Sequence, residues 1–93
     1  MNAPAAPEGA AAWLLAQGLA VWKKCRDVEI GDSLLERDGV AFEITAIAPF
    51  GARALVFRLR PDPMLSRSPT SSAPIRVARL VLVAPRRGST FAE

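Results

Sequence analysis

The spacing of apolar positions changes along the chain. Residues 10–22 form a nearly unbroken apolar run in which Leu15, Leu19 and Trp22 fall at helical intervals on one face and Leu14, Val21 and Cys25 on an adjacent one. This predicts a helix over residues 10–24. Its polar positions are few, Gln17, Gly18 and the closing lysines Lys23 and Lys24. A helix this apolar is expected to be covered on most sides, by its own sheet or by another molecule, with Trp13, Leu15, Leu19 and Trp22 as candidate contact residues. The run is too short to span a bilayer, and Glu8 stands where a secretory leader carries positive charge, so neither a membrane span nor a signal peptide is expected. Ahead of it, residues 1–9 form an Ala/Pro tail with little to bury, expected to be disordered.

From residue 28 the period shortens to two, the signature of strands. The segments SLLER (33–37) and VAFEITAI (40–47) flank Asp38-Gly39. That arrangement predicts a hairpin with a two-residue type I′ turn, in which Arg37 pairs with Val40, Leu35 with Phe42, Leu34 with Glu43 and Ser33 with Ile44. Leu35, Val40, Phe42 and Ile44 then share the core face, and Glu36, Glu43 and Thr45 the outer one. Gly31-Asp32 is expected to turn the chain into the hairpin, and Pro49-Phe50-Gly51 to turn it out.

A third strand over residues 53–60 alternates Leu55, Phe57 and Leu59 with Val56, Arg58 and Arg60. Residues 61–74 hold four prolines and four serines, with Met64 and Leu65 as the only large apolar side chains. No regular element is expected there, and so long an arm in a small domain is usually functional or disordered. A last strand over residues 75–83 ends in the continuous run LVLV, expected to be buried on both faces or paired centrally in the sheet. The predicted architecture is mainly β with one N-terminal helix: a small, partly closed antiparallel barrel of four or five strands, SH3-like or OB-like, over residues 10–84, followed by a basic tail at 85–93.

Composition narrows the functions. The chain has 93 residues, no His, no Tyr and one Cys, so Ser-His and Cys-His couples, imidazole ligands and cysteine clusters are all excluded, and no enzyme activity, metal or cofactor is expected. A lone Cys makes no internal disulfide, and cytoplasmic folding is the default expectation. The net charge of +3 is unevenly placed: residues 1–52 carry four basic and seven acidic groups, residues 53–93 eight basic and two acidic. The basic half is the candidate binding half, with Arg53, Arg58, Arg60, Arg67, Arg76 and Arg79, joined by Met64 and Leu65 of the arm and by Arg86 and Arg87 of the tail. Ten of the twelve basic residues are Arg, suited to bidentate recognition of phosphate or carboxylate, although a soluble Arg-rich surface explains the same count. Nucleic-acid binding by a small barrel normally adds aromatic stacking; Phe42 and Phe57 are assigned to the core and Trp13 and Trp22 to the helix, leaving only Phe50 and Phe91, so single-strand readout has little support and salt-dependent contact with duplex phosphates is the form that stays open.

Other constellations are simpler as structure than as chemistry. Glu36 and Glu43, diagonal neighbours in the predicted hairpin, resemble an acid–base pair only in spacing, and a solvated strand face accounts for them. Cys25 has Lys23, Lys24 and Arg26 around it, which favour a thiolate, yet its place at the end of an apolar helix fits a small buried residue. Asp27, Glu29 and Asp32 lack the oxygen count and spacing of a calcium loop. Gly39 and Gly51 are turn glycines.

The segments VEIGDSLL (28–35), AFEITAIAP (41–49) and ALVFRL (54–59) place a Gly-Asp turn, a strand, an aromatic-led strand, a Pro/Gly turn and a Leu-ended strand in one order. In this order residues 28–59 resemble the small β-barrel head–tail joining proteins of tailed phages. The resemblance implies a non-enzymatic virion component that forms a ring with copies of itself and touches neighbouring portal or tail proteins. Two other functions stay open on the residues alone: a small basic nucleic-acid-binding accessory or regulatory protein, and an inhibitor of a host enzyme.

Overall fold

The computed structural model describes residues 9–36 and 39–85. The expected N-terminal tail (through residue 8), Arg37 and Asp38 of the hairpin turn, and the tail residues Arg86, Arg87 and Phe91 lie outside the described residues. Among the described residues are α1 (Gly9–Ala16), β1 (Val21–Lys24), a 3₁₀ turn (Cys25–Asp27), β2 (Ser33–Leu35), β3 (Ala41–Phe50), β4 (Ala54–Leu59), β5 (Ile75–Arg76) and β6 (Leu80–Ala84). The strands form one antiparallel sheet in the order β1-β6-β2-β3-β4-β5, which is not closed into a barrel. The mainly β expectation with one helix therefore holds, with six strands rather than four or five.

The helix expected over residues 10–24 is corrected. It stops at Ala16 because the chain carries a complete stop signal there. Gly18 takes the left-handed conformation at φ +76°, its N–H donates to Leu15 O at 3.1 Å, and the Leu19 N–H reaches back to Leu14 O at 2.9 Å. Together these bonds form the glycine C-terminal motif that satisfies the last carbonyls of a helix. Beyond it, Val21 and Trp22 enter β1, which pairs with β6 from Val21↔Val83 to Lys24↔Leu80. Without β1, the apolar β6 would be an exposed edge.

The hairpin register is also corrected, by one residue. Leu34 pairs with Phe42 and Leu35 with Ala41. The Glu36 N–H donates to Val40 O at 2.9 Å, and the Gly39 N–H to Glu36 O at 2.9 Å, with Gly39 at φ +90°. The connection is thus three residues, 37–39, closed by a left-handed glycine, and not the expected two-residue turn. Because side chains alternate, a one-residue slip moves each leucine to the opposite face. Leu34 joins Phe42 and Ile44 in the main core, while Leu35 passes to the outer face. Glu36 and Glu43, expected as diagonal neighbours on one face, consequently fall on opposite faces.

The main core lies on the inner face: Cys25, Val28, Phe42, Ile44, Phe57, Leu59, Val81 and Val83 are buried, with Phe57, Ile44 and Val83 fully enclosed. A second cluster occupies part of the outer face, where α1 sets Ala11, Leu14 and Leu15 against Leu35, Leu82 and Trp22. Of the LVLV run, Val81 and Val83 are buried inward and Leu82 under α1, as expected, whereas Leu80 at the start of β6 is exposed.

β3 is the pivot of the sheet. Its first residues pair with β2 and its remainder with β4, and a bulge between Ile44 and Ala46 shifts the register. The extra residue restores phase, so that Ile47, like Ile44, packs on the main core three positions later. β3 continues through Pro49 to Phe50, past the position where a turn was expected. Pro49 is tolerated because β2 has ended by then, leaving β3 partnered on one side only.

The expected last strand is split. β5 pairs with β4 (Leu55↔Ile75, Ala54↔Arg76) and β6 pairs with β1 and β2. The intervening turn is tied to the 3₁₀ segment, the Cys25 N–H donating to Arg79 O at 2.7 Å and the Arg26 N–H to Val77 O at 3.0 Å. The arm at 61–74 lacks helix and strand, as its composition predicts, but it folds back along β4. The Leu59 N–H donates to Thr70 O at 2.8 Å, the Ser72 N–H to Phe57 O at 2.9 Å, and the Phe57 N–H to Ser72 Oγ at 3.0 Å. These bonds supply the partners that an open strand edge would lack.

Candidate functional site

Titratable groups held inside the fold serve its architecture. Asp32 is 1% exposed. Its Oδ2 accepts from Lys23 Nζ at 3.1 Å and from the Glu29 N–H at 3.0 Å. Its backbone carbonyl accepts from the Ile44 N–H at 2.8 Å. The carboxylate thereby joins β1 to the loop before β2, while the backbone of the same residue ties that loop to the centre of β3; a hydrogen bond to a charged group of this kind contributes about 1.5–3 kcal/mol. Cys25 is buried and its thiol lies 3.7 Å from the Ile75 carbonyl. Burial raises its pKa, the opposite of what a nucleophilic thiol needs. Asp27, Glu29 and Asp32 do not converge: among the described residues no group of three or more His, Cys, Asp or Glu side chains is placed to hold a metal ion. No described helix is long and apolar enough to cross a membrane.

A shallow cleft of about 330 Å³ lies where the arm meets the hairpin, lined by Glu36, Val40, Phe42, Leu65, Ser66 and Arg67. Leu65 packs against the main core as the arm's anchor, whereas its neighbour Met64 is 88% exposed. Arg67 Nη2 stands 3.7 Å from Glu36 Oε1 at the rim. Since one wall is core and the other a single leucine, the cleft reads as the seam of the fold.

Two outward surfaces remain. The first is the α1 side. The helix sequence GAAAWLLA has no polar side chain, so its apolar surface exceeds what one sheet can cover. Ala11 is buried and Leu14, Leu15 and Trp22 are half-buried against the sheet, leaving Trp13 at 58% and Leu19 at 53% exposure. Of the four contact residues expected from the helix, Trp13 and Leu19 are therefore exposed, while Leu15 and Trp22 mainly serve the chain's own packing.

The second surface is the outer face of β3, β4 and β5, which α1 does not reach. Register places Phe50, Ala54 and Arg76 side by side across three strands, and Ala46 beside Arg58 further along. Phe50 is 58% exposed. Arg58 and Arg76 are exposed, and the outer-face positions of β3 and β4 between them carry Ala48, Ala54 and Val56. Arg60 borders this face with its Nε donating to Glu43 Oε1 at 2.9 Å. Arg53 lies in the turn before β4 and Arg79 in the turn before β6, both exposed. Of the arginines singled out from sequence, Arg58 and Arg76 are thus joined on one face, Arg60 is paired at its border, and Arg67 lies apart against Glu36. What sequence reasoning did not assign is Phe50: reading Pro49-Phe50-Gly51 as a turn concealed that Phe50 closes a strand and shares the face of Arg58. The bulge signal, apolar positions at 42 and 44 and then at 47, was legible. Comparisons with family models, curated proteins and solved structures return no match for the chain.

Proposed function

We propose that the chain is a non-enzymatic assembly module of the SH3-like or OB-like kind, working through protein contacts in a larger particle, as the resemblance to phage head–tail joining proteins implies. The observation that carries this is α1: an eight-residue helix without a polar side chain, placed at the surface with Trp13 outward and Leu19 exposed just beyond it. Large exposed aromatic and aliphatic side chains of this kind are the usual anchors of protein interfaces. A second copy of the chain is the proposed occupant. Packing α1 of one copy on its neighbour covers Trp13 and Leu19, and repetition of the contact closes a ring if it joins unlike surfaces. Light scattering on the purified protein tests this. Association that strengthens between about 1 μM and 1 mM and is lost in Trp13→Ser supports it; a monomer throughout that range overturns it.

A further inference from the structure

The bare outer face of β3–β5 is separate from the α1 surface and differs from it in chemistry. Neighbouring strands lie about 4.8 Å apart, so Phe50 and Arg76, two strands apart with only Ala54 between them, sit about 10 Å from each other. Arg58 stands four residues along β4 from Ala54, about 13 Å. The ground between is alanine and valine, low enough that a planar group can lie against the sheet. Among the described residues no carboxylate forms an ion pair with Arg58 or Arg76. Arg60, by contrast, is paired with Glu43, so on the strands of this face the unpaired guanidinium groups are those of Arg58 and Arg76.

An exposed ring flanked by unpaired guanidinium groups across a sheet face matches a strand of alternating planar bases and anionic phosphates. We propose that this face binds single-stranded nucleic acid, one base stacking on Phe50 while Arg58 and Arg76 hold phosphates along the strand. A duplex keeps its bases stacked inside and leaves Phe50 nothing to cover, so the single strand is the preferred form. An acidic protein segment answers the charge but not the exposed ring, which makes it the weaker match.

Fluorescence anisotropy with a labelled oligothymidylate of about twelve nucleotides tests the proposal. Two phosphate contacts predict that affinity falls about sevenfold between 50 and 200 mM salt. Phe50→Ala is expected to weaken binding about tenfold, and Arg58→Glu and Arg76→Glu each severalfold with a flatter salt dependence. Lys24→Glu, a charge reversal on β1 at the far edge of the sheet, and Trp13→Ser are expected to bind as the wild type. Because Phe50 and both arginines are exposed, thermal melts of these variants should match the wild type. No binding at 50 mM salt overturns the proposal. So does equal weakening by Lys24→Glu, or tighter binding of duplex with Phe50→Ala unaffected, either of which marks general electrostatic adhesion. Loss of binding in Phe50→Ala with oligomeric state unchanged separates this face from the assembly role of α1.

Discussion

The outer face of one sheet is treated in two ways. Over β1, β6 and β2 it carries Trp22, Leu82 and Leu35 and is roofed by α1; over β3, β4 and β5 it carries Ala48, Phe50, Val56, Arg58 and Arg76, and no helix among the described residues roofs it. The inner face is common to both halves and is packed throughout by one cluster centred on Phe57, Ile44 and Val83. The contrast shows that stability does not require the bare half to be covered. Apart from Phe50, the side chains there are short or charged, so little other apolar area is left in water.

Substitutions separate shared core, roofed half and bare half. Phe57→Ala, in the fully enclosed centre that both halves rely on, is expected to lower unfolding free energy by about 3–5 kcal/mol in denaturant titration. Next, Leu35→Ala on the roofed half should cost about 2–4 kcal/mol, while Val56→Ala on the bare half should cost less than about 1. Equal losses would erase the distinction between the halves. The glycines give a finer test, read by thermal melting. Gly39 and Gly18 both have positive φ, but a Cβ on Gly39 would overlap Ala10 Cβ and crowd the first turn of α1, whereas one on Gly18 meets open space. Gly39→Ala should therefore cost about 2–3 kcal/mol and Gly18→Ala about 1, the latter being conformational cost alone. The smallest effect is the pH dependence set by Cys25. Burial holds its thiol protonated in the folded chain, so on raising pH the unfolded chain loses the proton first. Stability should be insensitive to this group below its ordinary value of 9.0 and fall above it. Comparing melts of wild type and Cys25→Ala from pH 8 to 10 isolates that decline.

Residues 21–24 have helical spacing with the run before them, and pattern alone continued the helix through Gly18, whose left-handed cap is equally present in the sequence. Asp38-Gly39 is compatible with a two-residue or a three-residue turn, and Leu34 and Leu35 are equally apolar, so local pattern had no means of choosing which leucine faces inward. The split of the last strand at residues 77–79 leaves no apolar signature, because it is dictated by two hydrogen bonds to Cys25 and Arg26 from a distant part of the chain. The arginine half of the candidate nucleic-acid face was visible as charge on alternate positions. Its aromatic member was not, since assigning Phe50 depends on how far β3 runs.

From its residues alone this chain is mainly β with one apolar helix at its start, a core carried by Phe42, Ile44, Phe57 and Leu59, and a positively charged second half, because alternation and charge are written locally. The tertiary structure decided the rest. It chose the hairpin register by which leucine the roof and the core each require, turned residues 21–24 into the strand that protects β6, and left the face of Phe50, Arg58 and Arg76 open. Each of these choices balances contacts between segments far apart in sequence, and no local pattern records that balance.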